Sequence, residues 1–496
     1  MFSLHGGKIY LFEQVFDYNI FNQIFFSIIT LFYFILLFTI NLSNLFLSNT
    51  YKSIISKSIK IIIIFLFFIS VYISIHRLFS YSYLYKYVIL DSMVDLYLLN
   101  KLDNISLIGD VLVLLCLVTS FITWIFLSER YLNNPNSLLY FFIFYIFTVN
   151  MVYCNNLITM FIFFELIFLP SLFFVYVLGY SKKVEKTIKY LLLWTLLGSI
   201  IVLISMVYFY SITNSLEFKY IKYIKLSNYQ INVLFIGFFI GFGVKIPLWP
   251  FHYWLTKVHV EAPTGFSIFL SGFLVKTALF CLIILFNILK TKNLIIISLV
   301  IVSWGAIDAS IRMWTATDIK RLIAFATIQE MNLIMLFVFL GNYTNYQILN
   351  SFILIHGILS ALFFFLVDQV QKRYQTRNLN NLGGLMSKAV ILSFVIWISL
   401  LVFRGFPIFS KFIIEWEILM LLYENFTILG LILFFFISFF GVIGFFRIWF
   451  IILYGQPTKN LNNLTDILKS DLIIAIFLVF LLYIISFLIF LFNSCA

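Results

Sequence analysis

Runs of about 20 apolar residues, parted by short polar or charged connections, recur along the whole chain, the length one helix needs to cross a bilayer. The pattern predicts an all-α polytopic membrane protein of about fourteen spans. They fall near 20–48, 59–79, 105–127, 137–154, 157–179, 188–210, 229–250, 262–289, 293–311, 320–341, 346–370, 389–423, 427–454 and 470–493. The second connection, 80–104, is long, carries Asp91, Asp95 and Asp103, and reads as a surface segment. The twelfth span is too long for one straight crossing and holds Gly405 and Pro407, so a break is expected there. The seventh is expected to open at its end, where Pro247 and Pro250 deprive the carbonyls of Gly243 and Ile246 of their donors. The chain divides on this reading into N-terminal spans with a connecting segment (1–104), a core (105–454) and a C-terminal span (455–496).

Composition narrows the class. Of 496 residues, 63% are hydrophobic and 10% charged, where a soluble domain carries about 25% charged residues. The net charge of +12 sits in short connections rather than in a basic domain or arm, so lipid and not nucleic acid is the expected partner. Odd-numbered connections hold roughly 18 Lys and Arg and even-numbered ones roughly 8, which places the odd connections on the matrix or cytoplasmic side and both termini opposite. Cys116, Cys154, Cys281 and Cys495 are scattered with no C-x-x-C pair, so neither an iron–sulfur site, another metal site nor a disulfide framework is expected. The start of the chain shows no small-residue cleavage site, so no removable leader is expected. Phe and Tyr are abundant beside Ile, Asn and Lys, the mark of an AT-rich genome such as an organelle's. Aromatic stripes therefore reflect composition rather than a cofactor box.

Against that apolar background a few ionisable residues stand out. Glu165, in T-M-F-I-F-F-E-L-I-F-L-P, lies about eight residues, roughly 12 Å, from the nearest helix end. A charge at that depth costs about 2.5–3.5 kcal/mol on insertion scales. Its own helix face offers only Ile158, Phe161, Ile162, Leu169 and Leu172, so a partner has to come from another helix or from water. Lys245 follows Gly237 and Gly241 on one face; a relay ammonium and a lysine snorkelling from a helix end are both open. Lys276 shares a face with Gly265 and Gly272 more than ten residues from either end, where snorkelling is hard. His356 shares a face with Ser360, and its near-neutral titration range suits a relay. Glu415 follows the expected break, with Lys411 one turn earlier as an intrahelical partner. Acids and bases at depth, with two interrupted helices, mark an ion pathway.

The stretch G-F-G-V-K-I-P-L-W-P-F-H-Y-W-L-T-K-V-H-V-E-A-P-T-G-F-S-I-F-L-S-G-F-L-V-K (241–276) closely resembles the proton-channel core of the antiporter-like subunits of respiratory complex I. D-I-K-R-L-I-A-F-A-T-I-Q-E-M (318–331), L-I-H-G (354–357) and R-N-L-N-N-L-G-G-L-M-S-K (377–388) fit the same family in order, and the resemblance covers about 105–490. Glu415 separates this chain from chains 2 and 5, where lysine stands at that position. The resemblance implies two inverted five-helix repeats, spans 4–8 and 9–13, with broken helices 7 and 12. It implies a Glu165–Lys245 pair, with Lys276 as central relay linked through water and His356 to Glu415. It further implies proton translocation within an NADH:ubiquinone reductase of the mitochondrial inner membrane, beside other membrane-arm subunits, especially chains 2 and 5. No cofactor is expected in this chain; FMN and iron–sulfur clusters belong to partner subunits. A subunit of a stand-alone cation/proton antiporter, or a non-pumping structural subunit, are the alternatives.

Two residues depart from the family pattern. Glu330 stands where histidine is usual, and Lys411 where a small or amide residue is common. Glu330 is placed one to two turns inside the tenth span. It reads either as a fixed counter-charge to the Lys320/Arg321 end or as a proton-loading group on the matrix side.

Overall fold

Inside a bilayer every backbone N–H and C=O must find its partner within the protein, and helices achieve this span by span. A computed structural model of the chain describes residues 108–123, 136–178, 184–221, 224, 226–289, 294–341, 346–456 and 465–494, and among them every regular element is helical. The expected spans at 20–48 and 59–79, and the segment at 80–104, lie outside the described residues. The helices are α1 (Ile108–Thr123), α2 (Asn136–Val152), α3 (Leu157–Leu178), α4 (Val184–Thr213), α5 (Asn228–Lys245), α6 (Tyr253–Glu261) and α7 (Thr264–Leu289). They continue as α8 (Ile295–Trp314), α9 (Ile319–Leu340), α10 (Tyr346–Tyr374), α11 (Val390–Arg404), α12 (Lys411–Tyr454) and α13 (Lys469–Ser494). Six of them, α4, α7, α8, α9, α10 and α12, are long and apolar enough to cross a membrane.

Depth in the fold follows helix by helix. The apolar windows of α7, α9 and α10 are 100%, 94% and 94% buried, so these three form the centre. Those of α4, α8 and α12 are 33%, 39% and 28% buried. Their outward residues, such as Ile200, Ile204, Val300 and Phe435, are exposed, as lipid-facing side chains are.

Both expected breaks are present. α5 stops at Lys245 and the chain resumes helix at Tyr253. α11 ends at Gly405, whose φ of 70° is the left-handed cap that glycine adopts without a Cβ penalty. There the amide of Phe406 donates to the carbonyl of Leu401 at 3.1 Å and that of Gly405 to Val402 at 3.0 Å, closing the helix before Pro407. The twelfth and thirteenth expected spans meet inside α12, where Thr427 leaves helical geometry (φ 50°, ψ −128°). Pro170, by contrast, is absorbed within α3.

Close helix approach depends on glycine facing glycine. A Cβ on Gly198 would stand 2.8 Å from the carbonyl oxygen of Gly241, and one on Gly241 would stand 3.1 Å from that of Gly198, so α4 and α5 touch through bare backbone. Gly272 and Gly357 make the same reciprocal contact between α7 and α10, at 3.3 and 3.0 Å. Without a hydrophobic force between helices in lipid, such contact is a main source of packing. Lys245 and Lys276 each lie one turn beyond one of these crossings, which carries their ammonium groups into the bundle.

Substituting Gly272→Leu is expected to separate α7 from α10 at a cost of about 1–3 kcal/mol or more. Native-gel quantitation of the assembled complex in membranes should show it depleted; an undiminished band would mean that the crossing tolerates a side chain.

Candidate functional site

The first break exposes polar backbone, and the structure finds donors for it. The amide of Leu248 reaches back to the carbonyl of Gly243 at 2.9 Å, and the indole Nε1 of Trp254 donates to Val244 at 2.8 Å. The last residue before this break, Lys245, is fully buried. Its Nζ lies 2.5 Å from Glu165 Oε1 on α3 and over the rings of Phe164 and Phe168 at 4.2 and 4.6 Å. Snorkelling is therefore excluded for Lys245, and the inter-helix partner that Glu165 lacks on its own helix is this lysine. Removing one partner of such a pair costs about 3–5 kcal/mol, because the other charge is left uncompensated.

Lys276 sits just after a segment of π-helix, Leu270–Leu274, which interrupts α7. Its ammonium turns back and donates to the carbonyl of Ser271 within that segment. π segments of this kind leave backbone groups available for side chains. Nothing in the hydrophobic pattern marks the segment, so it is absent from the sequence reading. Lys276 is buried, and Glu330 is the acid whose charge acts on it.

His356 is buried on α10, beside the Gly357 crossing, and its Nε2 has no hydrogen-bond partner among the described residues. Lys276 and Lys411 are the charged groups whose fields it feels. Ser360 shares its face but gives its hydroxyl hydrogen to the carbonyl of Gly357 at 3.0 Å.

The second break carries the main correction. Glu330 does not serve the basic end of its helix. It stands 11 residues after Ile319, roughly 16 Å along the axis, out of reach of Lys320 and Arg321. Lys320 Nζ instead donates to the carbonyl of Ala262 at 2.8 Å, and Arg321 lies over the ring of Phe325 at 5.7 Å. The partner of Glu330 is Lys411, whose Nζ is 2.6 Å from Glu330 Oε1. The same ammonium donates to the carbonyl of Phe403 at 2.6 Å and lies over that ring at 4.2 Å. The expected Lys411–Glu415 contact exists but is longer, 3.7 Å. Glu415 rests its carboxylate against Gly405, where a Cβ would stand 2.7 Å from Oε2.

These groups are buried in the middle of the set and partly exposed at its two ends. Lys245, Lys276, His356, Glu330 and Lys411 are buried, whereas the side chains of Glu165 and Glu415 are 29% and 22% exposed. Every one of them comes from a different helix except Lys411 and Glu415.

The sequence profile described as NADH:quinone oxidoreductase/Mrp antiporter, TM, matches residues 154–441, a span that holds every group above. NADH-ubiquinone oxidoreductase chain 4 of Paramecium tetraurelia is 38% identical over 379 residues, 76% of this chain and 80% of its own length. NADH-quinone oxidoreductase subunit M of Rickettsia felis is 28% identical over 414 residues, 79% of this chain and 80% of its own. A chain in the structure of respiratory complex I from Thermus thermophilus with bound NADH shares the fold with a TM-score of 0.65. That likeness has 21% identity and covers 77% of this chain and 81% of that one. The chain thus belongs to the NADH:quinone oxidoreductase/Mrp antiporter family of transmembrane subunits.

Proposed function

We propose that the chain is a proton-translocating membrane-arm subunit of an NADH:ubiquinone oxidoreductase, of the chain 4 type. The observation that carries this is the buried set of lysines, histidine and acid, closed to lipid in its middle and flanked by a partly exposed acid on either side. A string of groups that exchange protons has to exclude bulk solvent between its ends, since continuous water would short-circuit the gradient. Glu165 and Lys245 form the first gate, Lys276 the central relay, His356 the bridge, and Glu330 and Glu415 the far end. Proton transfer between these groups needs connecting water, and the partnerless Nε2 of His356 is the atom that would receive it.

The rest of the organisation follows from the same reading. Fourteen spans with two inverted five-helix units (spans 4–8 and 9–13) fit the placement of the two breaks, each in the fourth helix of its unit. Electron transfer takes place in partner subunits that carry FMN and iron–sulfur clusters. Chains 2 and 5 are the neighbours in the membrane arm, and the mitochondrial inner membrane is the compartment. A stand-alone antiporter subunit would purify without NADH dehydrogenase activity, and co-purification of that activity separates the two.

Lys276→Met is expected to abolish pumping while leaving the complex assembled, because the lost ammonium is bonded only to a carbonyl of its own helix. NADH oxidation coupled to a pH dye in sealed membrane vesicles would measure this, and normal acidification by the assembled variant would remove Lys276 from the relay.

For Glu165 and Lys245, a double-mutant cycle with Glu165→Gln and Lys245→Met is expected to show coupling of at least about 1 kcal/mol in pumping rate. Losses that merely add in free energy would mean the two groups do not act together.

A further inference from the structure

The two breaks are matched more closely than their positions require. Lys245 closes the helix before the first break and Lys411 opens the helix after the second. Each ammonium is held by a glutamate from the second helix of its unit, Glu165 on α3 at 2.5 Å and Glu330 on α9 at 2.6 Å. Each lies 4.2 Å from the centre of a phenylalanine ring, Phe164 or Phe403. Glu330 and Lys411, taken singly, are departures from the family pattern; taken together they rebuild in the second unit the acid–lysine pair of the first.

One feature has no counterpart in the first unit. Glu415 Oε1 lies 3.7 Å from the same ammonium, so two carboxylates share one lysine. Lys411 and Glu330 are buried, and Arg404, the other cation acting on Glu415, is exposed at the end of α11. Counted as charges, Glu330, Lys411 and Glu415 are neutral only when they hold one additional proton. In a site of low dielectric the uncompensated alternative is expensive. On the inner side, α9, which carries Glu330, packs against α10, which carries His356, and α10 packs in turn against α7, which carries Lys276.

We propose that Lys411 is a switching residue whose ammonium passes between Glu330 and Glu415 and so determines which of the two carries the proton. This rests on the proton-translocation reading above. In the arrangement seen, Lys411 is paired with Glu330 at 2.6 Å, and the proposal assigns the additional proton to Glu415, 3.7 Å away. When the ammonium moves to Glu415, the Glu415 O–H bond breaks and that proton leaves by the partly exposed side of the carboxylate. Glu330, now unpaired, forms an O–H bond with a proton delivered from Lys276 through His356. One proton enters and one leaves, and Lys411 keeps its three N–H bonds throughout. Gly405 gives the Glu415 carboxylate the room this requires, since a side chain there would occupy its place.

The test compares Glu330→Gln, Lys411→Gln and the double variant in sealed vesicles carrying the assembled complex. A purely structural pair predicts that the double variant, which leaves neither partner as an unpaired charge, recovers what each single variant loses. The switch predicts that the double variant assembles and oxidises NADH but pumps about tenfold more slowly or worse, because no ammonium remains to alternate. Pumping by the double variant within about twofold of the unaltered complex would overturn the proposal, a margin well inside the effect of losing a proton-transfer group. Failure of the double variant to assemble where Lys276→Met assembles would overturn it too, by making the pair structural. Lys276→Met in the same vesicles separates the two levels. Normal pumping there removes Lys276 from the relay on which the switch depends, whereas a non-pumping Lys276→Met beside a pumping double variant removes only the switch.

Discussion

A buried ammonium needs a carboxylate or a carbonyl to hold it, and for Lys245 and Lys411 their own helices supply either no counter-charge or a distant one. Lys245 and Lys411 are therefore tied to carboxylates on α3 and α9, and those two pairs fix which helices must touch. The cost of an unpaired charge in hydrocarbon makes the pairing obligatory rather than incidental. Much else follows from it. α4 and α5 must come close enough to bring Lys245 to the right depth, and only bare backbone at Gly198 and Gly241 allows that approach.

Backbone polarity is the second resource. Each helix interruption exposes carbonyls that a continuous helix would consume, and a lysine or a tryptophan uses them. Ser271 serves Lys276, Phe403 serves Lys411, and Val244 serves Trp254. A carbonyl holds the Lys276 ammonium without neutralising it, whereas a carboxylate neutralises that of Lys245.

Most of the fold could be read from the chain because span length and proline chemistry are local. Pro247, Pro250, Gly405 and Pro407 announce both breaks, and the described helices other than α6, which fills the connection after the first break, and α12, which joins two expected spans, follow the apolar runs closely. The π segment in α7 escaped because one extra residue in a turn leaves an apolar run apolar. The site was legible in its residue types, since an ion in hydrocarbon declares itself, but not in its pairings. Glu165 and Lys245 are 80 residues apart and Glu330 and Lys411 are 81 apart, separations at which no periodicity operates. Glu330 shows the limit well. Counted along its own helix, its neighbours are Lys320 and Arg321, whereas across the bundle its neighbour is Lys411.

That last case bears on how a charged site can change without being lost. Introducing Glu330 alone would bury a carboxylate without its lysine, and Lys411 alone would have only Glu415, at 3.7 Å, as counter-charge. Together they cancel, at 2.6 Å and out of water. A neutral pair would have served packing equally well and at lower desolvation cost, since replacing a buried ion pair by neutral groups is often neutral or stabilising. The pair sits instead beside a third ionisable group, Glu415, 3.7 Å from the shared ammonium. Retaining three titratable side chains where hydrocarbon would pack as well is what a proton path requires and what stability alone does not.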